Sequence, residues 1–225
     1  MTPSPQVQNA LGLDISIKNV GKVFGETTPN PFQALKPVSM DIQAGEFISI
    51  VGPSGCGKST LMLMAAGLLA RSEGDITIGS QPIVAPFTDI GIAFQDHLLL
   101  DFRTAMDNVL LQADIRHLDK KRMRERAQDL FLKLHLEKAM NKYPRQLSGG
   151  MRQRVSLIRT IVHEPSVLMM DEPFGALDAL TRLQVRADLE ALWLDTRPTV
   201  LFITHSVGGA VGLSDRIFVL RPEPR

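Results

Sequence analysis

The chain has 225 residues, 44% hydrophobic and 22% charged, the proportions of a soluble globular protein long enough to bury a real core. A formal net charge of +1 excludes the broad basic excess that non-specific binding to nucleic acid or anionic lipid requires, and a single cysteine, Cys56, excludes an intramolecular disulfide. The longest apolar run, 61–70, is too short to span a bilayer, and the polar, Pro-bearing start, 1–9, has neither region of a signal peptide, so work at a membrane would need a partner to hold the chain there.

Ile15, Ile17 and Val20 alternate roughly, and Val38, Met40 and Ile42 strictly, which predicts two strands. The apolar run 47–51 ends at a Gly-rich turn and reads as a buried strand feeding a loop, with a helix expected over 58–69. Further strands are expected at 76–78 and 90–94. From about 98 to 161, charged residues interleave with Leu, Ala and Met at helical spacing, most plainly in 121–136. Strand signals return at 167–170, 200–203 and 217–220 with helices between them. Strands alternating with helices predict an α/β core with a mostly parallel sheet, made of 1–97 and 162–225, with 98–161 inserted as a helical subdomain of the same domain.

The string Gly52-Pro53-Ser54-Gly55-Cys56-Gly57-Lys58-Ser59-Thr60 fits the pattern G-x-x-x-x-G-K-[ST], between an apolar strand and a helix. Glycines let backbone N–H groups turn inward around a polyphosphate, and the helix points its positive end at the same anion. Lys58 is expected to reach the β- and γ-phosphates, and the Ser59 hydroxyl to ligate Mg²⁺. By itself the loop says only that a nucleotide binds. The strand 167–170 then runs into Asp171 and Glu172. A buried strand ending in acid sets a carboxylate at the carboxyl edge of the sheet, where ligands of such folds bind. Asp171 is expected to hold Mg²⁺, through water, and Glu172 to polarise the attacking water as general base.

Leu147-Ser148-Gly149-Gly150-Met151-Arg152-Gln153-Arg154 resembles the signature motif of the ABC ATPases and lies shortly before the acidic strand, as in that family. Gln95 resembles the family's Q-loop glutamine, which also touches the metal site. Ala176-Leu177-Asp178 resembles the D-loop, His205 the switch histidine, and Phe24 the aromatic that stacks on adenine. Each residue alone has a plain structural reading; their joint order along 13–220 carries the resemblance. It implies a P-loop NTPase fold with an N-terminal antiparallel β region. It also implies ATP and Mg²⁺ as ligands and a homodimer in which Ser148, Gly149 and Gly150 bind the γ-phosphate on the opposite subunit. The resemblance further implies permease subunits in the membrane, a solute-binding protein acting indirectly, no nucleic acid, and a peripheral place on the cytoplasmic face of the membrane. Ser148 to Gly150 opening a helix would suit this, because a hydroxyl, free N–H groups and a helix dipole form an anion site.

The run from Asp171 to Arg182, with Phe94-Gln95 and Asp107-Asn108-Val109, resembles the nitrate, sulfonate and taurine importer branch. Exporters, lipoprotein-release systems and carbohydrate importers fit less well. ABC ATPases of chromosomes and DNA repair carry long coiled-coil or zinc insertions between phosphate loop and signature, which have no counterpart here. Three departures from the family pattern stand out. Ser206, Gly208 and Gly209 replace the acids that usually follow the switch histidine, which weakens the next helix. Asp101-Phe102 replaces a usual Pro-Trp pair in the segment facing the membrane partner, and the chain ends at Arg225, where relatives typically continue. Leu98, Leu99, Leu100, Phe102 and Met106 are more apolar than a solvated loop needs. They are either core or, for Leu100 and Phe102, a surface for a permease.

Overall fold

The computed structural model describes residues 12–175 and 177–221. The chain start, 1–9, and Ala176 of the expected D-loop lie outside the described residues.

The N-terminal region is an antiparallel sheet. Strand β1 (Ile15–Phe24) pairs with β2 (Phe32–Ile42) on one side and with β4 (Glu73–Ile78) on the other, and a two-residue strand β5 (Gln81–Pro82) extends it in the order β2-β1-β4-β5. The register sets Ile15 opposite both Ile42 and Ile78, so the alternating isoleucines line one buried face.

The second sheet has five parallel strands in the order β6-β7-β8-β3-β9: β6 (Ile90–Ala93), β7 (Val167–Asp171), β8 (Thr199–Thr204), β3 (Phe47–Val51) and β9 (Arg216–Val219). Its central strands are mostly apolar because both faces are covered, with Ser49 buried in β3 and Thr199 and Thr204 at the ends of β8. Ile48, Ile50, Val167, Met169, Leu201 and Ile203 point to the core shared with the antiparallel sheet and α1 (Lys58–Ala65). Phe47, Leu168, Met170, Val200 and Phe202 point the other way, toward the helices. There the Phe47 ring meets Trp193 edge-on at 5.5 Å.

Between β6 and β7 lie α2 (Ala105–Arg116), α3 (Lys120–Lys133) and α4 (Gly149–Ile161). After β7 come α5 (Ala179–Thr196) and, beyond β8, α6 (Val207–Val211). The helix expected over 58–69 stops at Ala65. Gly67 has φ +72, and a Cβ there would strike the Ala85 carbonyl, so the chain turns where another segment crosses against it. Alternation also understated β2, which begins at Phe32 on partly exposed residues.

Candidate functional site

Strand β3 delivers the phosphate loop and α1 receives it. Gly57, the N-cap of α1, has φ 95, and a Cβ there would meet the Ala34 carbonyl of β2 at 2.6 Å. Only glycine suits that position. No side chain caps α1 and no acid stands in its first turn, so its leading N–H groups face outward without a side-chain acceptor. Pro53, Ser54, Gly55 and Ser59 are exposed, and Gly52, Cys56 and Thr60 half-buried. Lys58 is buried; its Nζ donates to the carbonyls of Gly52 and Pro53, both at 2.8 Å. An ammonium withdrawn from water needs such partners, and these hold it against the loop.

Neighbouring strands bring distant residues to that loop. Val51 is level with Thr204 of β8, and Ile203 is level with Asp171 of β7, so the chain leaves all three strands at one sheet edge. Glu172 follows immediately with φ 46, a left-handed conformation that costs a non-glycine residue on the order of 1 kcal/mol. Its N–H donates to the Ile203 carbonyl at 2.9 Å. His205 Nδ1 lies 2.7 Å from Glu172 Oε2, the ring donating to the carboxylate. Gln95 follows β6; a Cβ built on Gly175 would stand 3.7 Å from Glu172 Oε2 and 4.0 Å from Gln95 Nε2. Asp171, Glu172, His205 and Gln95 therefore gather around the end of the sheet. Asp178 caps α5, accepting the Thr181 N–H at 3.1 Å, and hydrogen bonds from Thr181, side chain first, hold its carboxyl below the usual range.

The signature residues sit apart. Ser148 caps α4, its hydroxyl accepting the Met151 N–H at 3.3 Å. Gly149 opens on empty space, whereas a Cβ on Gly150 would meet the Thr181 methyl at 2.5 Å. Phe24 is 42% exposed at the end of β1, level with Phe32, and the Lys22 ammonium lies 5.2 Å from its ring centre. The helix after His205 is only Val207–Val211, capped by Ser206, as the glycines there led one to expect.

Two residues matter that sequence reasoning passed over as positioning elements. Asn108 was noticed only as part of a string. It is fully buried; Oδ1 accepts the Leu100 N–H at 2.7 Å, and Nδ2 donates to the carbonyls of Leu100, Arg103 and Thr104 at 3.1, 3.1 and 2.9 Å. Arg159, on the same helix as Ser148, donates to the carbonyls of Leu98 at 2.7 Å and His97 at 2.9 Å. The segment after Gln95 is thus tied to α4 and α2. One signal could have exposed Arg159: a guanidinium among the buried Val155, Ile158 and Val162 must find carbonyls nearby. Asn108→Ala is expected to cost about 3 kcal/mol, because it strands a buried N–H and several carbonyls. Urea unfolding measures this; a loss under about 0.5 kcal/mol would show that the loop re-pairs without it.

Among the described residues no cluster of three or more His, Cys, Asp or Glu could hold a metal unaided. Mg²⁺ takes one or two protein oxygens and completes its shell with water and substrate phosphates. Ser59, exposed in the first turn of α1, and Asp171, half-buried at the end of β7, are hard oxygen donors of the kind such a site takes.

The family model described as ABC transporter matches residues 35–175. The bicarbonate transport ATP-binding protein CmpD of Synechocystis is 40% identical over 225 residues, 99% of this chain and 78% of that one. The nitrate import ATP-binding protein NrtD of Synechococcus elongatus is 40% identical over 91% of this chain and 75% of its own. The dimeric post-hydrolysis structure of the ATP-binding cassette MJ0796, bound to ADP and Pi, superposes with a TM-score of 0.81 at 31% identity, covering 93% of this chain and 97% of that one. The family match, the identities over nearly the whole chain and the shared fold agree, and the chain belongs to the ABC transporter family as an ATP-binding cassette that hydrolyses ATP.

Proposed function

We propose that this chain is the motor subunit of an importer for a small oxyanion or sulfonate, working as a homodimer under a membrane permease. The relatives named for bicarbonate and nitrate support the solute class. Among the described residues no helix is long and apolar enough to cross a membrane.

Lys58 and the backbone N–H groups of the loop from Gly52 to Thr60, Pro53 excepted because it has none, hold the phosphates, with Phe24 against the adenine. Ser59, Asp171 and Gln95 would hold Mg²⁺, which when bound would supply neutralisation of phosphate charge. Glu172 takes the proton of the attacking water, and His205 fixes the carboxylate through their 2.7 Å bond. Ser148, Gly149 and Gly150 serve the ATP of the facing subunit, with Asp178 beside that junction. The exposure of Ser148 and the open space at Gly149 support this sharing.

The observation that carries the permease reading lies just after Gln95, in a block taken here as a helical subdomain, 98–161. Leu99 and Met106 are core, but Phe102 is 75% exposed and Leu100 half-buried. Asn108 ties down the backbone on both sides of Phe102, at Leu100, Arg103 and Thr104, which supports reading its exposed ring as a fixed surface feature. The segment can then report a seated permease to Gln95. Phe102→Ala should leave ATP binding by the isolated subunit unchanged, and should weaken assembly with the permease by about 2 kcal/mol, with solute uptake falling alongside. Co-purification and uptake measure this. Intact assembly and uptake would move the contact elsewhere.

A further inference from the structure

Behind the Glu172–His205 pair, a cleft of about 340 Å³ opens between α5, α6 and the loop after β7. That volume suits a small organic molecule. Its lining combines the apolar Phe174, Leu183 and Leu213 with the side chains of Arg182 and Arg186.

Arg182 and Arg186 lie one turn apart on α5 and so on one face, where like charges repel. Neither is ion-paired among the described residues. Arg182 donates once to the Leu177 carbonyl at 2.8 Å, while its Nε is buried with no partner. Arg186 makes one long hydrogen bond, to the Gly208 carbonyl at 3.4 Å, and its guanidinium lies against Gly212. Buried guanidinium nitrogens need acceptors. The roof, Ser206 to Gly209, contains no acid, and the carboxylate of Glu172 is engaged by His205.

We propose that this cleft binds a small organic carboxylate, its head between Arg182 and Arg186 and its apolar body against Phe174, Leu183 and Leu213, and that occupancy slows hydrolysis by restraining His205. The apolar part of the lining favours an acid with a carbon body over inorganic phosphate, and a planar carboxylate matches the guanidinium fork. His205 and Ser206 line the same cleft, so a bound acid limits how the histidine can move.

Hexanoate tests this on the full chain, with 1-hexanol and hexylammonium as controls, by ligand-observed NMR in the presence and absence of MgATP. Hexanoate should bind at millimolar concentration, the controls should not, and MgATP should not compete. Arg186→Gln should weaken binding about tenfold, as expected for one charge-assisted bond. Gly208→Glu, whose Cβ would enter open space, supplies an internal carboxylate and should abolish both binding and the slowing of ATP turnover by hexanoate. Displacement by MgATP would place the acid at the phosphate loop and overturn the proposal. So would equal binding of hexylammonium, unchanged binding by Arg186→Gln, or no binding at all. Should Gly208→Glu fail to fold, the Arg186→Gln arm still decides.

Discussion

Glu172→Gln is expected to bind ATP as the wild type does and to hydrolyse it about 10²- to 10⁴-fold more slowly, the span of a lost general base. The substitution keeps the shape of the side chain. An amide can still meet His205 Nδ1 across the 2.7 Å gap, and the backbone bond from residue 172 to the Ile203 carbonyl is untouched. What disappears is the ability to accept a proton from water. The folded structure should therefore persist with ATP trapped, and gel filtration with ATP should show a long-lived dimer. Single-turnover hydrolysis is the direct measurement. A rate near that of the wild type would remove Glu172 from this role and leave its left-handed backbone without a catalytic reason.

A mixed dimer of Lys58→Ala with Ser148→Arg is expected to recover ATPase activity that neither homodimer shows. Lys58→Ala removes the charge that grips the phosphates, so that homodimer should lose nucleotide binding. Ser148→Arg removes a helix cap, a loss of about 1 kcal/mol that a folded domain survives, and blocks the exposed face of α4. Each subunit gives Lys58 to one site and Ser148 to the other. In the mixture both lesions meet at one site, and the second site is assembled from intact halves. Lys58 is buried against its own loop, while the hydroxyl of Ser148 bonds only locally to Met151 and Gly149 faces open space, which suits a division of labour across two chains. Activity of up to half the wild-type value would mean independent sites. No recovery with mixed dimers verified would mean either strict coupling of the sites or no sharing.

The phosphate loop, the acidic end of β7 and the signature cap were legible in the sequence because each is a short local grammar. Strand, glycine turn and helix follow one another within a few residues, and capping depends on the nearest N–H groups. The buried strands were legible for a similar reason, since covering both faces of a sheet leaves little place for polar residues; Ser49, an exception, finds the Ser214 hydroxyl. Tertiary structure alone decided the rest. Glu172 and His205 meet because β7 and β8 are neighbours, a strand order that no local pattern encodes. Gly67 shortens α1 because Ala85 crosses there, and Arg159 reaches back to His97 and Leu98 because α4 packs across the segment after β6. Arg182 and Arg186 come to face one cleft with Ser206 to Gly209 because the chain after β8 returns beside α5. Partners far apart in the chain are chosen by packing, where burial forces each polar group to find whichever acceptor the fold has brought within reach.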